Sequence, residues 1–560
     1  MTTAPAEVID LADRVRAIAE QDPDRVALVR ARRLTLGRGR YSRHTYRELS
    51  DRADRLAAGL HRVGVTKGTR CSFMVPPGID AMVLGIALWQ VGAVVVGIEP
   101  HSHGLRAVAR SLAKVEPEVF FGTPEAIAGR VAFGWGRGSV RTNVVVGGID
   151  MPGLPSMRSL ERGPGRPVEN RPAPEDVAVI AFTTGSTGAP KPTVLRQRNL
   201  AAMMSTVLGH WAMDGADVVD MLTFPMFWII GLAAGGTVVV PPIDFALKGP
   251  GDADPAVLVR TIQECGVRSM FASPAVLTNL VAHARTHDIG PLGLRRITAG
   301  GAEVPGPLFA EVRKLLDDGG EMYSDYGATE ALPVAEIAGR EVVEETWPLS
   351  EQGAGVCVGR ALPGVELRIV EISDAAIPTW ADATELAPGE VGEVVARSPH
   401  ISEEYWRQPD TTAQNKIADD AGAWHRIGDT GYLDDRGRLW VCGRVSHRVV
   451  TPRGVLYPLR CEPVVNAHDA VRRSALVGVP DADGVTRAVL CIEPNDPPAD
   501  PGRLLAELRE LLDAHPSTRP VDRLEIVERL PVDRRHNAKI DRPAVAARLA
   551  AGTTEPALRS

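Results

Sequence analysis

The sequence predicts an α/β protein with a large N-terminal body of doubly covered, mostly parallel sheets and a small C-terminal α+β domain. Three observations carry that expectation. Apolar strand-like runs alternate with helical patterns as far as about residue 335, the rhythm of parallel strands covered on both faces. A chain of 560 residues is too long for one core and divides into domains. From 355 to 440 the pattern shifts to short strands and turns, and a compact tail follows CGR at 442–444.

Thr45 and Glu48 have capping-box spacing, and Leu49, Ala53, Leu56, Leu60 and Val63 recur behind them at helical period. The run at 71–75 reads as a buried strand, 79–91 as a helix and 93–98 as another strand, with 119–122 and 143–148 continuing the series. A second series has strands at 177–182, 236–240, 268–271 and 294–298, with helices at 255–264 and 305–316. VELRIV at 365–370 and GEVVARS at 392–398 are short strands, and the Ala-, Pro- and acid-rich segment 371–389 reads as a surface insertion. The tail carries strands at 473–479, 488–493 and 524–530 and a helix with Leu504, Leu505, Leu508, Leu511 and Leu512. The expected division is 1–441 and 442–560.

Hydrophobic residues at 44% and charged residues at 24% describe an ordinary globular protein. A formal charge of −7 with no basic stripe gives no reason to expect nucleic acid. The six cysteines lack CxxC spacing and several sit in apolar runs, so reduced core thiols are expected. The first residues are acidic and carry no apolar leader segment. The greasy run 82–98 is short for a membrane span and breaks at Gln90–Gly92, which favours a helix followed by a buried strand. Cytoplasmic residence is the expectation.

Four segments hold the chemistry. FTTGSTGAPK at 182–191 follows an apolar strand with hydroxyls and glycines, then a lysine. Small residues let backbone N–H groups approach a phosphate chain, with Lys191 as a point charge beside it. It is not a Walker A loop, and alone it would read as an exposed turn. The other three segments are YSDYGATE at 323–330, IGDTGYLDDRG at 427–437 and PVDRRHNAKI at 531–540.

In that order and spacing, the four segments resemble the adenylate-forming superfamily of acyl-CoA synthetases, luciferases and peptide-synthetase adenylation domains, over nearly the whole chain. YGATEALPV at 326–334, LYPLRCEPVVNAHDAVRRSALVGV at 456–479 and PVDRRHNAKI narrow the resemblance to olefin-pathway β-lactone synthetases. That resemblance implies ATP-dependent activation of a long-chain 3-hydroxy acid, of the 2-alkyl-3-hydroxyalkanoate kind, as acyl-AMP. The 3-hydroxyl then closes a β-lactone, releasing AMP; pyrophosphate leaves at the first step. ATP and Mg²⁺ are the implied cofactors, and thiolase-like, reductase or decarboxylase enzymes are the implied pathway partners.

Carried over residue by residue, Thr183, Thr184, Gly185, Ser186, Thr187, Gly188 and Lys191 resemble the triphosphate loop. Where relatives carry a glycine after the lysine, this chain has Pro192, which removes one N–H donor. Glu330 is the Mg²⁺ candidate, since that ion takes hard oxygen ligands, and Thr329 resembles the α-phosphate contact. Tyr326, with Asp325 and Gly327 beside it, resembles the adenine platform, and Gly300, Gly301 and Ala302 the opposite wall of its slot. Asp429 resembles the ribose acceptor and Arg444 the ribose- and phosphate-contacting arginine before a hinge at Ser446. Lys539 resembles the lysine that closes over the reacting carboxylate and phosphate from a mobile small domain.

FPMFWIIGL at 224–232 places Phe227 and Trp228 at the aromatic gate of the acyl pocket, with Leu332 and Pro333 shaping the same pocket. A simple aromatic core junction is the competing reading for Trp228. Ser446 and His447 stand where acyl-CoA synthetases commonly carry acids, so a general thiol-acceptor surface is not expected. His447 and His536 are the imidazoles available to take the hydroxyl proton. A long-chain fatty acyl-CoA synthetase, or a fatty acyl-AMP ligase serving a carrier protein, would use the same adenylation residues.

Overall fold

The computed structural model describes residues 10–31, 41–98, 104–148, 150–163, 171–183, 190–245, 249–532 and 540–551. The first strands, β1 (Val26–Ala31) and β2 (Tyr41–Thr45), pair antiparallel. Next come β3 (Arg70–Met74), β4 (Val94–Gly97), β5 (Val119–Gly122), β6 (Thr142–Val145), β7 (Val177–Phe182) and β8 (Pro192–Arg196). They form one sheet in the order β6-β5-β3-β4-β7-β8, parallel except for the last pair.

The second α/β series supplies β9 (Val219–Leu222), β10 (Thr237–Val240), β11 (Ser269–Ala272), β12 (Leu294–Ala299), β13 (Leu316–Ala328) and β14 (Ala331–Ala338). With β15 (Val356–Cys357) and β16 (Arg360–Ala361) introduced, the nine-stranded sheet runs β16-β14-β13-β12-β11-β9-β10-β1-β2. Its centre is parallel and its two ends antiparallel. One core lies between the two sheets, joining Cys71, Val95 and Val179 to Leu28, Leu222 and Val238 through the helices Tyr46–Leu60, Ile79–Gln90 and Gln197–Trp211. Separate cores cover the outer face of each sheet. The layers therefore alternate helix, sheet, helix, sheet, helix, which is why most strands are apolar on both faces.

Helix Tyr46–Leu60 shows how the pattern works locally. Leu49, Ala53, Leu56 and Leu60 are fully buried on one face, and truncating such a leucine to alanine costs about 2–5 kcal/mol. Thr45 accepts the N–H of Glu48 at 3.2 Å. The box stays half closed, because the Glu48 carboxylate turns to His44 Nδ1 at 2.9 Å. The greasy run 82–98 divides between helix Ile79–Gln90 and β4, and among the described residues no helix is long and apolar enough to cross a membrane. All six cysteines are free thiols, five of them buried.

A third, antiparallel sheet adds β17 (Glu366–Val370), β18 (Gly392–Arg397), β19 (Lys416–Ile417), β20 (Trp424–Leu433) and β21 (Leu439–Arg444) to β15, in the order β15-β21-β20-β18-β17 with β19 on β20. The segment 371–389 is more than a loose surface insertion. Ile377 is buried, Trp380 stacks on Trp424 with centroids 4.5 Å apart, and Arg426 donates to the Ala375 carbonyl at 2.9 Å. Its scattered apolar residues serve this small core, while its acids face solvent.

The small domain follows with β22 (Val449–Thr451), β23 (Gly454–Leu456), β24 (Val471–Pro480), β25 (Thr486–Pro494) and β26 (Arg523–Ile526). Helices Pro458–Asn466 and Pro501–Asp513 cover it, with Leu504, Leu508 and Leu512 buried. The expected break at 441 falls inside β21, which stays hydrogen-bonded to β20 through Arg444. The division between the parts therefore sits at the 3₁₀ turn Val445–His447, where the sheet register ends.

Candidate active site

β7 and β8 form a hairpin whose closing pair is Phe182 and Pro192. The Thr183 N–H donates to the Lys191 carbonyl at 3.1 Å, so Thr183 and Lys191 bracket a tight connection. Thr184, Gly185, Ser186, Thr187 and Gly188 lie outside the described residues. Pro192 keeps its acceptor role, since its carbonyl receives the Trp406 N–H at 2.8 Å. Lys191 points toward the third sheet. Its ammonium donates to Asn415 Oδ1 at 3.1 Å and lies 5.4 Å from the Tyr405 ring centroid. Burial lowers its pKa, opposed by Glu330.

Gly300 follows the end of β12, where a Cβ would stand 2.9 Å from Phe271 Cζ and 3.5 Å from the Asp325 carbonyl oxygen. Gly301 adopts φ +87°, a left-handed conformation that favours glycine. Ala302 continues this turn. On the neighbouring strand, Gly327 allows the chain to fold back, since a Cβ there would lie 2.3 Å from the Ala331 carbonyl. The result is a slot walled by backbone, fit for a flat group.

Tyr326 donates its hydroxyl to Asp429 Oδ2 at 2.7 Å, and Arg444 Nε approaches Asp429 Oδ1 at 3.1 Å. Asp429 and Arg444 are cross-strand partners in β20 and β21. Burial and then the Asp429 charge hold the Tyr326 phenol well above its ordinary pKa, so it remains a donor. The Asp429 charge likewise raises Arg444. A carboxylate held this way is an oriented acceptor that still has lone pairs to offer. Asp325 points elsewhere. Burial and then Glu336 raise its pKa well above the usual carboxylate range, and Glu336 is also paired with Arg296.

Thr329 is exposed at the β13–β14 turn, whereas Glu330 beside it is 7% exposed. The Tyr405 hydroxyl donates to Glu330 Oε1 at 2.7 Å, and the Ser402 N–H donates to the Glu330 carbonyl at 2.8 Å. Lys416 donates in turn to the Ser402 carbonyl and lies 5.8 Å from the Tyr405 ring centroid. Burial pushes Lys416 down to about 7. His425, its cross-strand partner, is buried and its Nε2 has no partner. Sequence reading missed Tyr405, Asn415, Lys416 and His425. No local spacing marks them, because β19–β20 pairing and the contact of segment 404–406 with β8 bring them together.

At the acyl side, Phe227 stacks on Phe271 with centroids 4.3 Å apart. Trp228 points away from that pair into the inter-sheet core, stacked on Trp89 at 5.8 Å and against Gly85. Its size fills the space beside a glycine, so the core reading holds for Trp228. Leu332 packs over Gly327, and the Pro333 carbonyl pairs with His400 Nε2 at 2.9 Å. Burial, then Arg542 and Arg444, lower His447 to about 4, leaving it neutral but weakly basic. Lys539 and His536 lie outside the described residues.

The AMP-binding enzyme family matches residues 15–406. The olefin β-lactone synthetase of Stenotrophomonas maltophilia is 38% identical over 96% of this chain and 97% of its own length. That of Xanthomonas campestris is 37% identical, with coverage of 96% and 97%. Among solved structures, the amide bond synthetase McbA of Marinactinospora thermotolerans superposes with TM-score 0.77 at 25% identity, covering 96% of this chain and all of that one. The sheet order, the backbone slot and this similarity along nearly the full chain agree: the protein belongs to the AMP-binding enzymes, in their olefin β-lactone synthetase branch.

Proposed function

We propose that the protein joins ATP to a long-chain 3-hydroxy acid of the 2-alkyl-3-hydroxyalkanoate kind, and that the 3-hydroxyl closes the resulting acyl adenylate to a β-lactone. The single observation that carries this reading is the Asp429 carboxylate, held by Tyr326 and Arg444 and reached through the same β13 strand that borders the Gly300 slot. That arrangement suits a nucleoside, with the base in the slot and the ribose hydroxyls on Asp429.

The other residues then have defined work. Thr183 and Lys191, with the connection between them, face the phosphates. Lys191 is near enough to Glu330 to feel its charge. Thr329 faces the α-phosphate. Glu330 is the ligand for a Mg²⁺ ion, which would neutralise phosphate charge as the carboxylate attacks. Among the described residues no cluster of three or more metal-ligating side chains exists, and a Mg²⁺ shared with phosphates needs only one or two carboxylates. Lys539, brought in by the small domain, balances charge growing at phosphorus.

For ring closure, the hydroxyl is tethered to the acyl carbon, and a well-oriented tether supplies an effective concentration of about 10⁵–10⁸ M. The hydroxyl oxygen bonds to the acyl carbon, its proton leaves, and the acyl–phosphate bond breaks to release AMP. Association with thiolase-like, reductase or decarboxylase enzymes belongs to the same reading.

The test compares a 3-hydroxy acid with the matching acid lacking the hydroxyl, each with ATP and Mg²⁺, with and without CoA. Mass spectrometry should show β-lactone from the first without CoA, and only acyl-AMP or free acid from the second. An acyl-CoA from both, with no lactone, would place the chain among the acyl-CoA synthetases.

A further inference from the structure

The face of the nine-stranded sheet that looks toward helix Gln197–Trp211 carries an unusual row. Asp220 on β9, Ser269 on β11 and Arg296 on β12 are register partners. Strands covered on both faces are normally apolar, and burying a carboxyl there is costly unless something answers it. Ser269 Oγ donates to Asp220 Oδ1 at 2.6 Å. Arg296 does not serve as the counter-ion. Its guanidinium is spent on Glu336 and Thr298, between the rings of Trp211 and Tyr323. Burial lifts Asp220 to about 7, with only Ser269 opposing.

A cavity of about 20 Å³ lies against these residues, closed by Ile230, Phe227 and Phe271. That is room for about one water molecule. Two residues farther along the strands stands Phe271, whose ring abuts Gly300. Four residues separate the Arg296 and Gly300 rows, about 13 Å at strand rise. From the adenylate slot inward the order is therefore Gly300, the stacked Phe271–Phe227 pair, the cavity, and the Asp220 carboxyl.

We propose that Asp220 and Ser269 form the polar floor of the acyl pocket, opened when the Phe227–Phe271 pair parts, and that this floor selects substrates carrying a hydrogen-bond donor far along one acyl arm. The inference rests on the adenylate reading of the Gly300 slot. It names the substrate class more closely: a 3-hydroxy acid with a second hydroxyl or an amino group remote from the carboxylate. A neutral carboxyl holds a hydroxyl, and an ionised one gains in an ammonium the cation it lacks.

The experiment measures pyrophosphate release from 3-hydroxy acids of matched length whose arm ends in methyl, hydroxyl or ammonium, with wild type, Asp220→Asn, Asp220→Leu and Ser269→Ala. Wild type should prefer a polar-ended arm by 10-fold or more in kcat/KM. Hydroxyl over ammonium, or the reverse, identifies the donor. Asp220→Leu should reverse the preference through KM, and Asp220→Asn should lose the ammonium arm selectively. Should Asp220→Leu fail to fold, Asp220→Asn and Ser269→Ala still carry the comparison. Equal use of all arms by wild type, or a methyl preference, overturns the polar floor and leaves a cavity that holds one water. No pyrophosphate from any hydroxy acid would instead defeat the adenylation reading itself.

Discussion

The Tyr405 hydroxyl is bonded to the buried Glu330 carboxylate at 2.7 Å, although 75 positions separate them in the chain. Tyr405 is in turn flanked by the ammonium groups of Lys191 and Lys416. A carboxylate gripped at both its side chain and its carbonyl is already oriented before ligand arrives.

Tyr405→Phe removes that donor while keeping the ring. A hydrogen bond to a charged group is worth about 1.5–3 kcal/mol, so pyrophosphate formation should fall about 10- to 100-fold at limiting Mg²⁺. Raising Mg²⁺ should recover part of the loss. An unchanged Mg²⁺ titration curve would show that the hydroxyl does not position Glu330.

Asp429→Asn tests the nucleoside assignment. Arg444 loses its charge partner and the ribose its anionic acceptor, so the KM for ATP should rise by about 10-fold or more on the same hydrogen-bond scale. The KM for the hydroxy acid should stay within about twofold. Equal rises in both would mean a general collapse of the site.

Lys416 predicts a pH signature. Its folded value of about 7 lies below its ordinary 10.5, through burial, against attraction from Glu330 and Glu403 and with repulsion from Lys191. Between those values the unfolded chain holds a proton that the folded chain has shed, so stability rises with pH across that window. The destabilisation is fully present below about pH 7. Lys416→Met should flatten this dependence by at most about 1.4 kcal/mol per pH unit, read from denaturant midpoints between pH 7 and 10. Parallel curves for the two proteins would refute it.

In the small domain, Glu462 accepts the Leu476 N–H at 2.8 Å and both its oxygens meet Arg542 at 2.8 Å. Glu462→Ala strands a buried guanidinium, which costs about 3–5 kcal/mol. Chemical denaturation should show the loss in the transition of residues 445–551, with the large body little changed.

Much of this was legible in the sequence because it is local. The strand at 177–182 matches β7 residue for residue, and the YGATE and IGDTG segments supply Tyr326 and Asp429 to one site. What escaped notice depends on distant pairing. Nothing near Lys416 announces that it packs beneath Tyr405, and nothing near Trp228 announces the Gly85 hollow that receives it. The Thr45–Glu48 spacing predicted a closed box, but a histidine one residue upstream captured the glutamate. The break near 441 failed for a related reason, since turn chemistry cannot reveal that β21 continues in register to Arg444.

The β20–β21 hairpin ends with Arg444 opposite Asp429, and the chain leaves for the small domain at the very next residue. One ion pair thus stands between a nucleoside-sized cleft and an axle. Any ligand hydroxyl that draws on Asp429 must also alter the pull on Arg444, and with it the footing from which residues 445 onward swing. Filling the cleft would be felt as torque one peptide away, without a relay across the body of the protein.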